Sequence, residues 1–332
     1  MLNFSFDFCV HCAKVKKEIC TESNQGRKLL EVKGITKSFN SVTAVSDICF
    51  SVEPNSYVSL LGASGCGKSV LLRIIAGLLA PDKGSVYLDG DDITGQPCNE
   101  RQIGFVQQKY ALFPHLNVYD NIAFGLRNRA INPITDESVV KKEVSEIIEL
   151  VGLNGQEYKM VGQISGGQKQ RVSLSRTLVT KPSICLLDEP LGALDANLRE
   201  RMTIELQNIR AELGISFMHV TGNEFEALAM GQKMLVMADG HIVRQGKPQD
   251  LYNLPLDLET AKSMHSFNIF SGSLMLDVIN QAQVQKISSD NSAKASFCAL
   301  RMDKIDIQEG KGKDTESGIP VEYITNEFLG NK

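Results

Sequence analysis

No apolar run of about 18 residues occurs anywhere in the 332-residue sequence, which excludes a membrane-spanning helix. Tryptophan is absent, yet 42% of the residues are hydrophobic, enough at this length to bury a full core and build two domains. A basic excess is missing too. Lys and Arg number 35 against 39 Asp and Glu, and this slight acidity argues against nucleic acid as a partner. The N-terminal FSFDFCV carries Asp7 and no leading positive charge, so it is not read as a secretory signal. The eight cysteines are scattered and are read as reduced thiols. Cys9-x-x-Cys12, with His11 between and Cys20 beyond, lacks the second Cys or His pair that completes a zinc set. For residues 1–28 a metal site and a loose, disordered tail are the two readings, and the tail is the expectation.

What the chain does contain is a phosphate loop. Gly62-Ala63-Ser64-Gly65-Cys66-Gly67-Lys68-Ser69 fits G-x-x-x-x-G-K-[ST]. The apolar SYVSLL (56–61) before it reads as a strand, and SVLLRIIAGLL (69–79) after it has helical spacing. The glycines let the backbone approach phosphate oxygens, and successive N–H groups at the helix start supply positive potential. Lys68 is expected to reach the β- and γ-phosphates, and the Ser69 hydroxyl to ligate Mg²⁺.

A second string, ICLLDEP (184–190), reads as a buried parallel strand whose carboxyl end carries Asp188 and Glu189. Open α/β sheets place their chemistry at that end. Asp188 can hold Mg²⁺ through water, and Glu189 is placed to polarise an attacking water. Alone, the string is equally a strand ending in an acidic turn; behind a phosphate loop it is the expected second half of a nucleotide site.

A third string, ISGGQKQR (164–171), lets Ser165 cap the helix that follows, so that its N-terminus presents N–H groups to an anion. With it the chain resembles the ATPase subunit of an ABC transporter, from about residue 29 to 250. Phe39 in ITKSFN matches the aromatic that stacks on adenine. Gln108 in FVQQKYALFPH matches the Q-loop glutamine; Ser165, Gly166, Gly167 and Gln168 match the signature motif; and Gly192-Ala193-Leu194-Asp195 matches the D-loop. The resemblance implies catalysis by Glu189, Gln108 and Lys68. It implies ATP binding by Phe39, residues 62–69, Val70, residues 165–168 and Asp195, and Mg²⁺ on Ser69, Gln108 and Asp188. It also implies that the signature of one copy faces the γ-phosphate held by the other, hence a homodimer with two composite sites. Two membrane-spanning permease subunits and a periplasmic or extracellular substrate-binding protein complete the implied assembly, with this chain peripheral on the cytoplasmic face of the inner membrane.

YALFPHLNVYDNIAFGLR (110–127) and EPLGALDANLRERM (189–202) resemble the importer group serving polyamines, ferric iron, sulfate and sugars. The polyamine (spermidine/putrescine) type is the first expectation. The implied fold is α/β: a P-loop ABC cassette over 29–262 with an antiparallel β edge region and a helical insertion at about 108–165. A partial, OB-like β-barrel with a regulatory role follows over 263–332. SFNIFSGSL, CALRMDKIDI and VEYITNEFLGN look like its opening strands. A half-barrel leaves strand edges open, so either a partner covers them, or the piece is poorly ordered, or the sequence is truncated.

Three departures from the family pattern stand out. HVTGNEFEAL puts Gly222 where the family carries its switch-loop histidine. His219 is near in sequence, but positions 219 and 222 of an extended strand face opposite sides. Either the subgroup manages with Glu189 alone, or the chain is a weakly hydrolysing, degenerate switch subunit. Val70 replaces the usual hydroxyl residue after Ser69, removing one hydrogen bond worth about 1 kcal/mol. Gln107 replaces a frequent aromatic, and nothing follows from it.

Overall fold

The structure is a computed structural model that describes residues 2–4, 10–11, 27–129, 133–192, 194–255, 257–264, 267–271, 297–301 and 305–307. Two short strands come first, β1 (Leu2–Phe4) and β2 (Val10–His11). Then follow β3 (Leu30–Phe39), β4 (Val42–Val52), β5 (Tyr57–Leu61), α1 (Lys68–Ile75), β6 (Lys83–Leu88), β7 (Asp91–Asp92) and β8 (Ile103–Val106). The helical stretch holds α2 (Val118–Asn128), α3 (Glu137–Leu150) and α4 (Gly166–Leu178). The chain continues through β9 (Ile184–Asp188), α5 (Ala196–Leu213), β10 (Ser216–Thr221), α6 (Glu224–Met230), β11 (Lys233–Ala238) and β12 (His241–Gly246). It then runs through α7 (Pro248–Asn253), α8 (Leu258–Ser263), β13 (Phe267–Ser271), β14 (Phe297–Arg301) and β15 (Ile305–Ile307).

These elements divide into two compact units, residues 17–250 and residues 1–16 together with 251–332. In the larger unit a six-stranded sheet has the order β12-β11-β5-β10-β9-β8, parallel except at the β12 edge. Its central strands YVSLL, ICLLD and SFMHVT are buried at every position, as strands covered on both faces must be. Alternate residues supply two cores. Tyr57, Cys185, Leu187 and Phe217 pack with α2, α3, α4 and α5. Val58, Leu60, Ile184, Leu186, Met218 and Val220 pack with α1 and the antiparallel strands. That implied antiparallel edge region is the sheet β4-β3-β6-β7. The insertion expected at 108–165 holds α2 and α3, whose buried Val140, Val144, Ile147 and Ile148 follow helical spacing.

The smaller unit contains α8 and two sheets, β13-β14-β2 and β1-β15. Of the N-terminal residues expected to form a loose tail, Leu2–Phe4 and Val10–His11 are strands, and Arg27 and Lys28 have no regular structure. Leu2–Phe4 pairs antiparallel with Ile305–Ile307, and Val10–His11 with Cys298–Ala299. Cys9, Cys12 and Cys20, weighed above as metal ligands, lie outside the described residues, as do the third predicted barrel segment VEYITNEFLGN and Ala193 of the D-loop.

Candidate functional site

The phosphate loop leaves the end of β5 and enters α1 through backbone that only glycine tolerates. A Cβ on Gly62 would stand 2.4 Å from the Met237 carbonyl oxygen and 2.7 Å from Cys66 Sγ. Gly67 has φ 107°, and a Cβ there would meet the Ala44 oxygen at 2.4 Å. Gly67 is also the N-cap of α1, and no side chain caps that helix start. Its first-turn N–H groups therefore stay open to an anion. Ala63, Ser64 and Gly65 are exposed at the mouth of the loop. Lys68 is 95% out of solvent, its Nζ donating to the carbonyls of Gly62 (2.7 Å) and Ala63 (2.8 Å). Cys66 is buried in the loop, and burial pushes its thiol up despite the nearby Lys68 charge. Val70 turns from the loop and packs against the α1 core.

The sheet brings the acidic pair to this loop because β9 and β5 flank β10 in parallel register. Ser69 Oγ donates to Asp188 Oδ1 at 2.9 Å. Glu189 follows with φ 46°, a left-handed backbone that turns its side chain off the strand line. Its N–H donates to the Val220 carbonyl at 3.0 Å, and its Oε2 accepts from Gln108 Nε2 at 2.8 Å. Lys68, Ser69, Asp188, Glu189 and Gln108 thus form one constellation. An uncapped helix N-terminus with a buried cation fits a triphosphate, and the hard oxygen pair Ser69–Asp188 fits Mg²⁺.

The remaining predicted residues form a second group. Ser165 caps α4 in a reciprocal box: Gln168 N donates to Ser165 Oγ (3.3 Å) and Ser165 N to Gln168 Oε1 (2.9 Å). Gly166 is exposed, and Gly167 is packed so that a Cβ would meet Leu198 at 3.1 Å. Asp195 caps α5, its Oδ1 accepting from Leu198 N at 2.9 Å. No hydrogen bond among the described residues joins this group to the phosphate loop. Phe39 ends β3, 46% exposed, with Lys37 Nζ 5.8 Å from its ring centroid.

At the switch loop, His219 is fully buried with its ring edge-on to Tyr57 and Nε2 3.5 Å from Glu226 Oε2. It lies on the α2–α5 side of the sheet with Tyr57 and Phe217, not at the phosphate loop. Glu226 also accepts from Thr221 Oγ1 (2.7 Å) and lies 3.3 Å from Arg199. Burial pushes the Glu226 carboxyl up, but His219 and Thr221 outweigh it and hold it below the usual carboxylate range. Gly222 is exposed, and a Cβ there would have only the Gly62 oxygen within 4 Å, at 3.7 Å. Asn223 caps α6, accepting from Phe225 N and Glu226 N. Sequence reasoning passed over Asn121, Ser173, Arg176 and Glu226. Their partners lie outside any local motif, and no short pattern marks them.

Comparison with known proteins agrees with this geometry. The family model described as "ABC transporter" matches residues 45–192. The spermidine/putrescine import ATP-binding protein PotA of Clostridioides difficile is 43% identical over 296 residues, which is 89% of this chain and 80% of that protein. The PotA protein of Acetivibrio thermocellus is 43% identical over 75% of this chain and 70% of its own length. That of Fusobacterium nucleatum is 42% identical over 77% of this chain, which spans 66% of it. Among solved structures, a dimeric ATP-binding cassette in a post-hydrolysis state bound to ADP and phosphate shares 28% identity. It superposes with a TM-score of 0.59, covering 66% of this chain and 99% of the cassette. A nucleotide-free ATP-binding cassette from an ABC transporter shares 25% identity with a TM-score of 0.63, over 71% and 98%.

Proposed function

Because this chain belongs to the ABC transporter ATP-binding family, an ATPase family, we propose that it powers spermidine or putrescine import through separate membrane subunits. The Ser69–Asp188 and Gln108–Glu189 pairs around one phosphate loop carry the ATPase half of this reading. The printed function of the relatives supports the polyamine half.

The residues divide the work as follows. The loop N–H groups and Lys68 hold the phosphates of ATP, with Phe39 stacked on adenine. Lys68 exchanges its two loop carbonyls for phosphate oxygens, a stronger charge-assisted contact. Ser69, Asp188 and Gln108 would hold Mg²⁺, which would supply positive charge against the phosphates. Glu189, held by Gln108, takes the proton of the attacking water. The water oxygen bonds to the γ-phosphorus, the bond to the bridging oxygen breaks, and ADP and phosphate leave. Ser165 to Gln168 and Asp195 of a second copy close the site from the far side, so the working unit is a homodimer.

That homodimer sits on two permease subunits fed by a substrate-binding protein outside the membrane. The chain then lies peripherally on the cytoplasmic membrane face; among the described residues no helix is long and apolar enough to cross a membrane. Residues 29–262 form the ATPase cassette. Residues 263–332 form a partial OB-like regulatory domain, with residues 1–28 as an extension joined to it by strands β1 and β2.

A second reading rests on Gly222. With no imidazole at the switch loop and His219 buried away from it, the chain hydrolyses slowly and acts as an ATP-bound switch. Reconstitution of the whole importer in vesicles decides. Spermidine with its binding protein is expected to stimulate phosphate release several-fold and to be taken up. ATP binding without stimulated release supports the switch, and stimulation by ferric iron, sulfate or a sugar instead contradicts the polyamine assignment.

A further inference from the structure

The loop that carries Gln108 turns on two consecutive residues in the left-handed region, Tyr110 (φ 44°) and Ala111 (φ 48°). Neither is glycine or asparagine, and such conformations persist only where the surroundings over-determine them. Here the surroundings are α4. Ser173 Oγ, on a residue 1% exposed, donates to the Tyr110 carbonyl at 2.8 Å. Arg176 Nη2 donates to the same carbonyl at 3.1 Å, and Nη1 to the Ala111 carbonyl at 2.7 Å. The guanidinium also lies over the Phe113 ring, 5.4 Å from its centroid. Downstream, the fully buried Asn121 accepts from Phe113 N and donates to the carbonyls of Phe113, Leu116 and Asn117.

Arg176 makes no ion pair among the described residues, and burial alone draws its guanidinium below the ordinary value. A half-buried cation whose two hydrogen bonds both go to one strained loop is not explained by charge pairing. Its place in the last turn of α4 suits the helix dipole, but a lysine would suit the dipole equally. Only the planar fork of arginine serves two adjacent carbonyls at once.

We propose that Arg176, with Ser173, is a positioning residue for ATP hydrolysis: it holds the Tyr110–Ala111 turn so that Gln108 stays on Glu189. This rests on the ATPase reading above and adds a mechanical consequence. Helix α4 is capped by Ser165, and a Cβ on Gly166 would stand 4.0 Å from the Tyr110 hydroxyl. The Gln108 loop, which serves the nucleotide of its own chain, and the signature, which serves the partner's nucleotide, therefore move as one piece.

The test compares Arg176→Lys and Arg176→Ala with the parent in the assembled transporter. It measures ATP affinity by titration, kcat, thermal unfolding, and amide exchange across residues 109–113. Arg176→Lys is expected to keep the unfolding temperature and ATP affinity, to lose protection at 109–113, and to lose about 10- to 100-fold in kcat, as small misplacements of catalytic groups do. Arg176→Ala is expected to fall at least as far. Arg176→Lys with the parental kcat and exchange pattern overturns the proposal while leaving the ATPase reading intact. Equal loss of ATP affinity, stability and kcat in Arg176→Lys overturns it as well, since that is a general folding defect. A parent that binds ATP but releases no phosphate overturns the ATPase reading itself and the proposal with it.

Discussion

Gly222 faces open space beside the phosphate loop, with an ordinary φ and only the Gly62 oxygen within 4 Å of a built Cβ. A histidine fits there without backbone strain. Gly222→His is expected to raise kcat by at least about tenfold, a single well-aimed donor being worth about 100- to 1,000-fold where its geometry is ideal. Steady-state phosphate release by parent and variant checks this, and an unchanged rate in an already fast parent shows that the imidazole is dispensable here. His219→Ala serves as the control. It opens a void between Tyr57 and Glu226 and is expected to lower stability with less than about a twofold change in kcat. At this scale the sequence was informative where chemistry is local: Lys68, Ser69, Asp188 and Glu189 each sit in a contiguous motif, and the sheet brings them together. It was silent on Arg176 and Ser173. Their partners, Tyr110 and Ala111, lie more than 60 residues away, and neither partner type signals a left-handed turn.

Helix starts and central strands were equally legible. Ser165 with Gln168 three residues on is a capping box, and the structure closes both of its hydrogen bonds. ICLLD and SYVSLL are short apolar runs that only a doubly covered parallel sheet accommodates. The two N-terminal strands were not legible, because a two- or three-residue strand has no period and its partners stand near residues 298 and 306. These pairings cover edges of β14 and β15 that the sequence leaves open. Removal of residues 1–16 is expected to abolish amide protection at Ile305–Ile307, to lower it at Cys298–Ala299, which keep their β13 partners, and to leave the cassette strands β5, β9 and β10 protected. Hydrogen exchange on the full chain and the shortened chain measures this, and unchanged protection at both sites contradicts the pairing.

At the scale of the whole molecule, one chain holds two groups of proposed site residues, with no hydrogen bond between them among the described residues. The phosphate loop with Asp188, Glu189 and Gln108 is one; the Ser165 helix start with Asp195 is the other. Their separation is what the proposed homodimer requires, with two copies paired head to tail and ATP between them. Stopping the chemistry while keeping the geometry isolates this claim. Glu189→Gln keeps the size of the side chain and its contact with Gln108 but removes the base. Size-exclusion with light scattering, with and without Mg²⁺ and ATP, is the direct measurement. The account predicts a monomer without nucleotide and a stable dimer holding two ATP in Glu189→Gln, with kcat reduced by about 100-fold or more. A variant that stays monomeric with ATP bound, or that turns ATP over at the parental rate, contradicts it.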